Sequence, residues 1–159
     1  MRHGKAEDPG PGKNDADRRL TKKGHEEIVA AGHWMAAQDL RFDLIASSPL
    51  FRAQETAAII AESLGKKQRL VTWKVLVPGG NTDTVCRMIG KQGEIRSILL
   101  VGHEPLLSAL ISRIIAGDEN AAIAMTKGSL AKIRGFSPTG HLSGELHWLV
   151  TAAQMAGMK

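Results

Sequence analysis

The sequence is poor in cysteine and in aromatic residues. Cys86 is the only cysteine among 159 residues, so no internal disulfide can form, which suits a reducing compartment such as the cytoplasm. Tyrosine is absent and aromatic residues make up 4% of the chain, too few for the stacking platforms of single-strand nucleic-acid binders. There is no dense Lys/Arg block and no zinc-finger spacing, so nucleic acid is not expected as a partner. No apolar run approaches the roughly 20 residues of a membrane span. No basic segment followed by an apolar stretch marks a secretory signal. HExxH, Cys/His pairs at ligand spacing and carboxylate clusters are also missing, so nothing calls for a metal.

What is present suits one domain spanning residues 1–159, long enough to bury a sizeable core. The formal charge of +5 reads either as an ordinary solvated surface or as a field that draws anionic substrates or an acidic partner.

Residues 5–19 are polar, with Pro9, Gly10, Pro11 and Gly12 at their centre, and read as a loop. Gly12-Lys13 does not complete a P-loop, because Glu7 and Asn14 stand where that pattern needs Gly and Ser/Thr. Thr21 is placed to cap a helix whose inner face carries Gly24, Ile28, Gly32 and Met35. His25, His33 and Trp34 on this helix read as surface or packing residues. Asp43–Ser47 predicts a short buried strand, broken by Ser48-Pro49. A helix from Phe51 to Leu64 follows, with Thr56, Ile59, Ile60 and Leu64 inward and Gly65 as its stop. Arg69–Leu76 predicts a strand or extended segment, and Thr82–Lys91 a helix. Arg96–Val101 is the clearest strand, expected at the centre of a sheet covered on both faces. Gly102-His103-Glu104-Pro105 then opens an apolar helix with Leu107, Leu110, Ile111, Ile114 and Ile115 on one face, ended by Gly117. The tail predicts a β-hairpin, Ser129–Arg134 and Glu145–Thr151, turning at Ser137-Pro138-Thr139-Gly140. The pattern implies an α/β fold: a three-layer sandwich with a mostly parallel central sheet flanked by helices and the hairpin at its edge.

Two segments share one plan, a short apolar strand running into a helix, with Arg52 in one junction and His103 in the other. Ligands of open α/β sheets bind outside the carboxyl ends of the strands, where helix N-termini favour anions. If Arg2 and His3 end a strand of the same sheet, two guanidiniums and two imidazoles meet there. Guanidinium forks match phosphate oxygens, and a neutral, oriented imidazole can attack phosphorus.

Arg2-His3-Gly4, Leu20-Thr21-x-x-Gly24, Ser48-Pro49-x-x-Arg52-Ala53-x-x-Thr56 and Gly102-His103-Glu104-Pro105 stand in the order and spacing of the histidine phosphatase superfamily. In length and motif context the chain is most similar to the SixA-type phosphohistidine phosphatases. The resemblance implies that His3 is the nucleophile, transiently phosphorylated. Arg2 and Arg52 would grip the phosphoryl oxygens, and His103 would donate to them in the transition state. It implies no metal or other cofactor. It also implies a phosphorylated protein substrate, such as a His-containing phosphotransfer protein, in the cytoplasm; it does not indicate an oligomeric state.

Glu55 stands where many family members carry Gln. The general-acid Glu of the mutase-like branch has no evident counterpart, which suits an imidazole leaving group better than an alkoxide. Glu104, the one carboxylate beside the expected pocket, is a candidate minor proton donor. Two other readings share these residues: a phosphomonoesterase for small metabolites, and a catalytically weak phosphoprotein-binding module. In this fold Arg2-His3-Gly4 should end the sheet's first strand. Only Met1 precedes the motif, so that strand is expected to be largely missing from this chain.

Overall fold

The computed structural model describes residues 1–12, 14–65, 69–93, 95–137 and 142–158. Its helices are Lys22–Ala37 (α1), Phe51–Ser63 (α2), Thr82–Gly90 (α3), Leu106–Ala116 (α4) and Ala152–Gly157 (α5). Its strands are Leu44–Ser47 (β1), Leu70–Thr72 (β2), Ile98–Val101 (β3), Leu130–Ser137 (β4) and Ser143–Val150 (β5). Strands β1 to β3 form a parallel sheet in the order β2-β1-β3, and β4 and β5 form an antiparallel hairpin.

The sheet sits between two helical layers because its strands are apolar on both faces. Alternation along β1 and β3 sends Ile45, Leu99 and Val101 to one side, where they meet Ile28 and Met35 of α1, Ile60 of α2 and Met155 of α5. Leu44, Ala46, Ile98 and Leu100 point the other way, against Val85 of α3 and Leu110 and Ile114 of α4. The α/β sandwich read from the sequence is the observed fold.

Helix boundaries follow local chemistry. The Thr21 hydroxyl accepts from the Gly24 N–H at 3.0 Å and caps α1. Gly117 ends α4 with φ of 84°, a left-handed cap that glycine adopts without strain. Gly24 is needed for a different reason. The start of α1 packs so closely on the chain at Lys5 that a Cβ on Gly24 would lie 2.0 Å from the Lys5 carbonyl oxygen.

Four details differ from the sequence reading. Only Leu70–Thr72 of the 69–76 segment is strand; Lys74–Leu76 tightens into a 3-10 turn that buries Leu76. Strand β3, expected at the centre of the sheet, lies at one side of it in the order β2-β1-β3, and it begins at Ile98, two residues later than expected, because Arg96 and Ser97 give their N–H groups to the Asp43 carboxylate instead. Ile115 points outward, 37% exposed, one position past the buried Ile114. Helix α5 was not anticipated, although its capping box, Thr151 with Gln154, is written in the sequence. Both hairpin strands are present, and the proposed turn residues Pro138, Thr139 and Gly140 lie outside the described residues.

Residues 1–3 lie between β3 and the hairpin. The Met1 amine donates to the Leu100 carbonyl at 2.7 Å, the Gly102 N–H to Met1, and the His3 N–H to Gly102, so this stub runs parallel to β3. On the other side the Arg2 N–H donates to Ser129 and the Gly128 N–H to His3, in antiparallel sense. A single bridge, Arg2 with Gly102, stands where a central strand was expected, and it joins the parallel sheet to the hairpin.

Candidate active site

The site is built where the stub, β1 and β3 end. His3 follows the stub directly. Its carbonyl and N–H are held by Gly128 and Gly102, and the next N–H, that of Gly4, donates to the Thr56 hydroxyl at 3.1 Å. Thr56 in turn donates to the Arg52 carbonyl one helical turn earlier, at 2.7 Å. One hydroxyl thus ties the Arg-His-Gly segment to the first turn of α2, which carries Arg52. His103 comes from the turn between β3 and α4.

The structure brings Arg2, His3, Arg52 and His103 together. The His3 and His103 ring centroids are 4.9 Å apart, and Arg52 Nε lies 3.3 Å from His3 Nε2. Arg52 is 4% exposed and His103 2% exposed, so neither is a surface residue. His3 Nδ1 lies 2.7 Å from the Gly4 carbonyl oxygen. A carbonyl only accepts, so the Nδ1 atom carries the proton and Nε2 presents its lone pair. Burial, with the positive fields of Arg52, Arg2 and Lys127, lowers the His3 pKa to about 4, against the opposing pull of the Gly4 bond. The imidazole is therefore neutral at pH 7, as a nucleophile must be. His103 is lowered further, to about 3, by burial first and then by His3 and Arg52.

The donors around His3 differ in whether they are already engaged. Arg2 Nη1 donates to the Met125 carbonyl at 2.7 Å, while its Nε is buried without a partner. His103 Nε2 lies 2.8 Å from the Ser48 hydroxyl, and its Nδ1 is buried without a partner. Among the described residues these are the two buried side-chain polar atoms left unsatisfied, and both belong to this cluster. Such atoms are costly unless something completes them; an anion's oxygens would complete Arg2 Nε, and His103 Nδ1 too when the Ser48 hydroxyl donates to Nε2 and leaves the ring proton on Nδ1.

Several contributors escaped the sequence reading. Asp15 sits on a 3-10 turn, Asp15–Asp17, within the polar loop. Its carbonyl oxygen accepts from Arg52 Nη1 at 2.7 Å and its carboxylate from Arg52 Nη2 at 2.9 Å. Arg18 Nη1 holds the other carboxylate oxygen at 2.7 Å, and the two guanidiniums, Arg18 foremost, keep the Asp15 carboxyl below its ordinary range. With Nε on His3, each of the three guanidinium nitrogens of Arg52 is engaged in this state. No local signal marks Asp15, since the contact spans 37 residues. Ser48 and Thr56 were legible as motif positions but not as partners of His103 and Gly4.

Two residues singled out for other reasons have structural partners. No hydrogen bond or ion pair joins Glu55 to Arg52 among the described residues. Its carboxylate binds Arg19 at 2.6 Å and the Leu20 N–H at 2.8 Å, anchoring the polar loop to α2. Glu104 accepts from the Ser108 N–H at 3.1 Å, at the N-terminal turn of α4.

Comparison with known proteins agrees with this geometry. The family model for the histidine phosphatase superfamily (branch 1) matches residues 1–76. An uncharacterized protein of Mycobacterium tuberculosis, Rv1276c, is 34% identical over 129 residues, covering 78% of this chain and 76% of that protein. Phosphohistidine phosphatase SixA of Escherichia coli is 26% identical over 121 residues, covering 74% of this chain and 73% of its own. Among solved structures, the protein histidine phosphatase SixA complexed with tungstate superposes with a TM-score of 0.86 at 22% identity, over 98% of this chain and 96% of that one. The α-ribazole phosphatase from Shigella flexneri superposes with a TM-score of 0.75 at 18% identity, over 96% and 95% of the two chains. By its ordered motifs, its fold and these matches, the chain belongs to the histidine phosphatase superfamily.

Proposed function

We propose that this protein is a phosphatase whose reaction passes through phosphorylated His3, and that its substrate is a phosphohistidine on a partner protein. The observation that carries the reading is the tautomer of His3. With Nδ1–H given to Gly4, the lone pair on Nε2 lies beside Arg52 and within a ring contact of His103.

In the first step Nε2 bonds to phosphorus as the bond from phosphorus to the leaving nitrogen breaks, and that nitrogen takes a proton from water. Arg52 and Arg2 offset the charge on the phosphoryl oxygens, and His103 donates to one of them. In the second step water attacks phospho-His3, releasing orthophosphate and restoring the imidazole. The cationic groups needed are all side chains, so the proposed reaction uses no metal.

The phosphohistidine substrate is supported by the carboxylates near the cluster. Asp15 is held ionised on two guanidiniums, and Glu104 is engaged at a helix N-terminus. Neither is poised as a strong acid for an alkoxide, whereas an imidazole leaves readily once protonated. The likeness to SixA supports a protein substrate. The likeness to α-ribazole phosphatase favours a second reading, a phosphomonoesterase for small metabolites.

The test is turnover of a phosphohistidine protein, an aryl phosphate and a sugar phosphate by the parent and by His3→Ala. Brief exposure to 32P-labelled substrate should label the parent and not the variant. A His3→Ala protein that retains turnover would sink the mechanism. Faster turnover of the sugar phosphate would select the second reading. A parent that binds phosphoprotein without label or turnover would be a binding module.

A further inference from the structure

Ser48 and His103 stand side by side because β1 and β3 end in register. Ser47 pairs with Val101 at the last rung of the parallel ladder, and the Ser48 N–H donates to the Val101 carbonyl at 2.9 Å. Ser48 is fully buried and His103 nearly so, and bulk water serves neither side chain.

His103 Nε2 lies 2.8 Å from Ser48 Oγ, and either atom can be the donor. The remaining partners decide the direction. Ser48 Oγ accepts from the Leu50 N–H at 3.4 Å, and among the described residues Nε2 is the one acceptor in reach of the hydroxyl proton. With the ring proton on Nε2, Oγ takes two N–H groups and its own proton has no acceptor. Nδ1 is then a buried lone pair facing no donor. With the ring proton on Nδ1, Oγ accepts from Leu50 and donates to Nε2, and both atoms are complete. A single buried Nδ1–H is left over. The first arrangement orphans two groups and the second one, and each buried orphan is costly. An anion completes the second arrangement, because its oxygens accept from Nδ1–H, whereas they repel a lone pair.

The charge state makes this choice matter. Burial first, then His3 and Arg52, lowers the His103 pKa to about 3, so the ring is neutral at pH 7 and carries one N–H. Its tautomer therefore fixes which side of the ring donates. The ring packs with its centroid 4.9 Å from that of His3.

We propose that Ser48 is a positioning residue that holds His103 as the Nδ1–H tautomer, so that a neutral imidazole presents a donor to the bound phosphoryl oxygens. The inference rests on the phosphoryl-transfer reading of this cluster. The two histidines are then set in complementary ways. His3 offers a lone pair at Nε2 because the Gly4 carbonyl takes its Nδ1 proton. His103 offers a proton at Nδ1 because the Ser48 hydroxyl fills its Nε2 lone pair. Neither ring has to gain or lose a proton when the anion arrives. A donor made this way persists above about pH 6.5, where one made by protonating an ordinary histidine fades.

The test is 15N NMR of histidine-labelled protein at pH 7, with His103 assigned by the signals lost in His103→Gln. In the parent, His103 Nδ1 should show a protonated, pyrrole-type shift and Nε2 a pyridine-type shift. The reverse pattern overturns the proposal. Ser48→Ala should mix or reverse the two shifts. It should also weaken orthophosphate binding, read by calorimetry, by about tenfold, the worth of one hydrogen bond to a charged group. Ser48→Thr keeps the hydroxyl and should recover both the shifts and the affinity. Parent-like shifts in Ser48→Ala overturn the proposal whatever the affinity does, because a loss of binding without a change of tautomer marks a merely structural role. The parent spectrum alone can refute the tautomer, so the proposal stays falsifiable even if a Ser48 variant does not fold. Both readouts are taken without turnover. A parent with the expected shifts and anion binding but no hydrolysis supports this assignment and sinks the proposed function.

Discussion

Asp15 holds Arg52 as a phosphate would, so converting it to asparagine should tighten the site's grip on anions. In the free protein the carboxylate occupies Arg52 Nη2 at 2.9 Å, and a bound phosphoryl group must displace or share it. Asp15→Asn keeps the backbone bond from Arg52 Nη1 and removes the charge facing Nη2. Asp15 is 56% exposed, so solvent screens the pair and Arg18 shares the same carboxylate. About 1 kcal/mol, the upper end for partly exposed ion pairs, is the relevant size. That converts to about a fivefold lower Ki for orthophosphate. The assay is inhibition of aryl-phosphate hydrolysis by orthophosphate at low ionic strength, with kcat followed alongside. Added salt should shrink the difference, because the competing charge is exposed. An unchanged Ki would show that the carboxylate does not compete for Arg52. A higher Ki would show that Asp15 organises the guanidinium for binding, the reverse of the reasoning.

Three further outcomes follow from the same geometry. Stability should fall in acid between about pH 6.5 and pH 3. His3 and His103 titrate near 6.5 when unfolded but at about 4 and about 3 when folded, so the unfolded chain binds more protons there. Their contribution is complete above pH 6.5 and is lost as pH drops; His3→Asn should flatten the slope of Tm against pH, and an unchanged slope would contradict the neutral, buried imidazole. Gly24→Ala places a methyl group 2.0 Å from the Lys5 carbonyl oxygen, a backbone clash expected to cost about 3 kcal/mol or roughly 10 °C in Tm. A thermal melt within 2 °C of the parent would show that the polar loop yields freely. Glu104→Gln retains an acceptor for the Ser108 N–H, so Tm and phosphohistidine turnover should change little; a large loss on alkyl phosphates would instead support Glu104 as a proton donor.

The sequence alone determined most of what is local. Thr21 as a cap, Gly117 as a stop, the buried run at Leu44–Ser47 and the inner faces of α1 and α2 follow from side-chain size, branching and hydrogen-bonding groups a few residues apart. The ordered motifs placed Arg2, His3, Arg52 and His103 as one candidate cluster. Parallel strands that feed helices leave their carboxyl ends on one edge, whatever the loops between them do. Short-range competition lay beyond that reading. Whether residues 73–76 extend or curl depends on the packing of Leu76 under α4, which no pattern of alternation records.

Tertiary structure alone decided what occupies the cluster and what surrounds it. The proton on His3 is placed by a carbonyl, the arrest of Arg52 by a carboxylate 37 residues away, and the position of Glu55 by Arg19 and Leu20. Each contact joins groups brought near by folding, so its energy has no trace in the neighbouring residues.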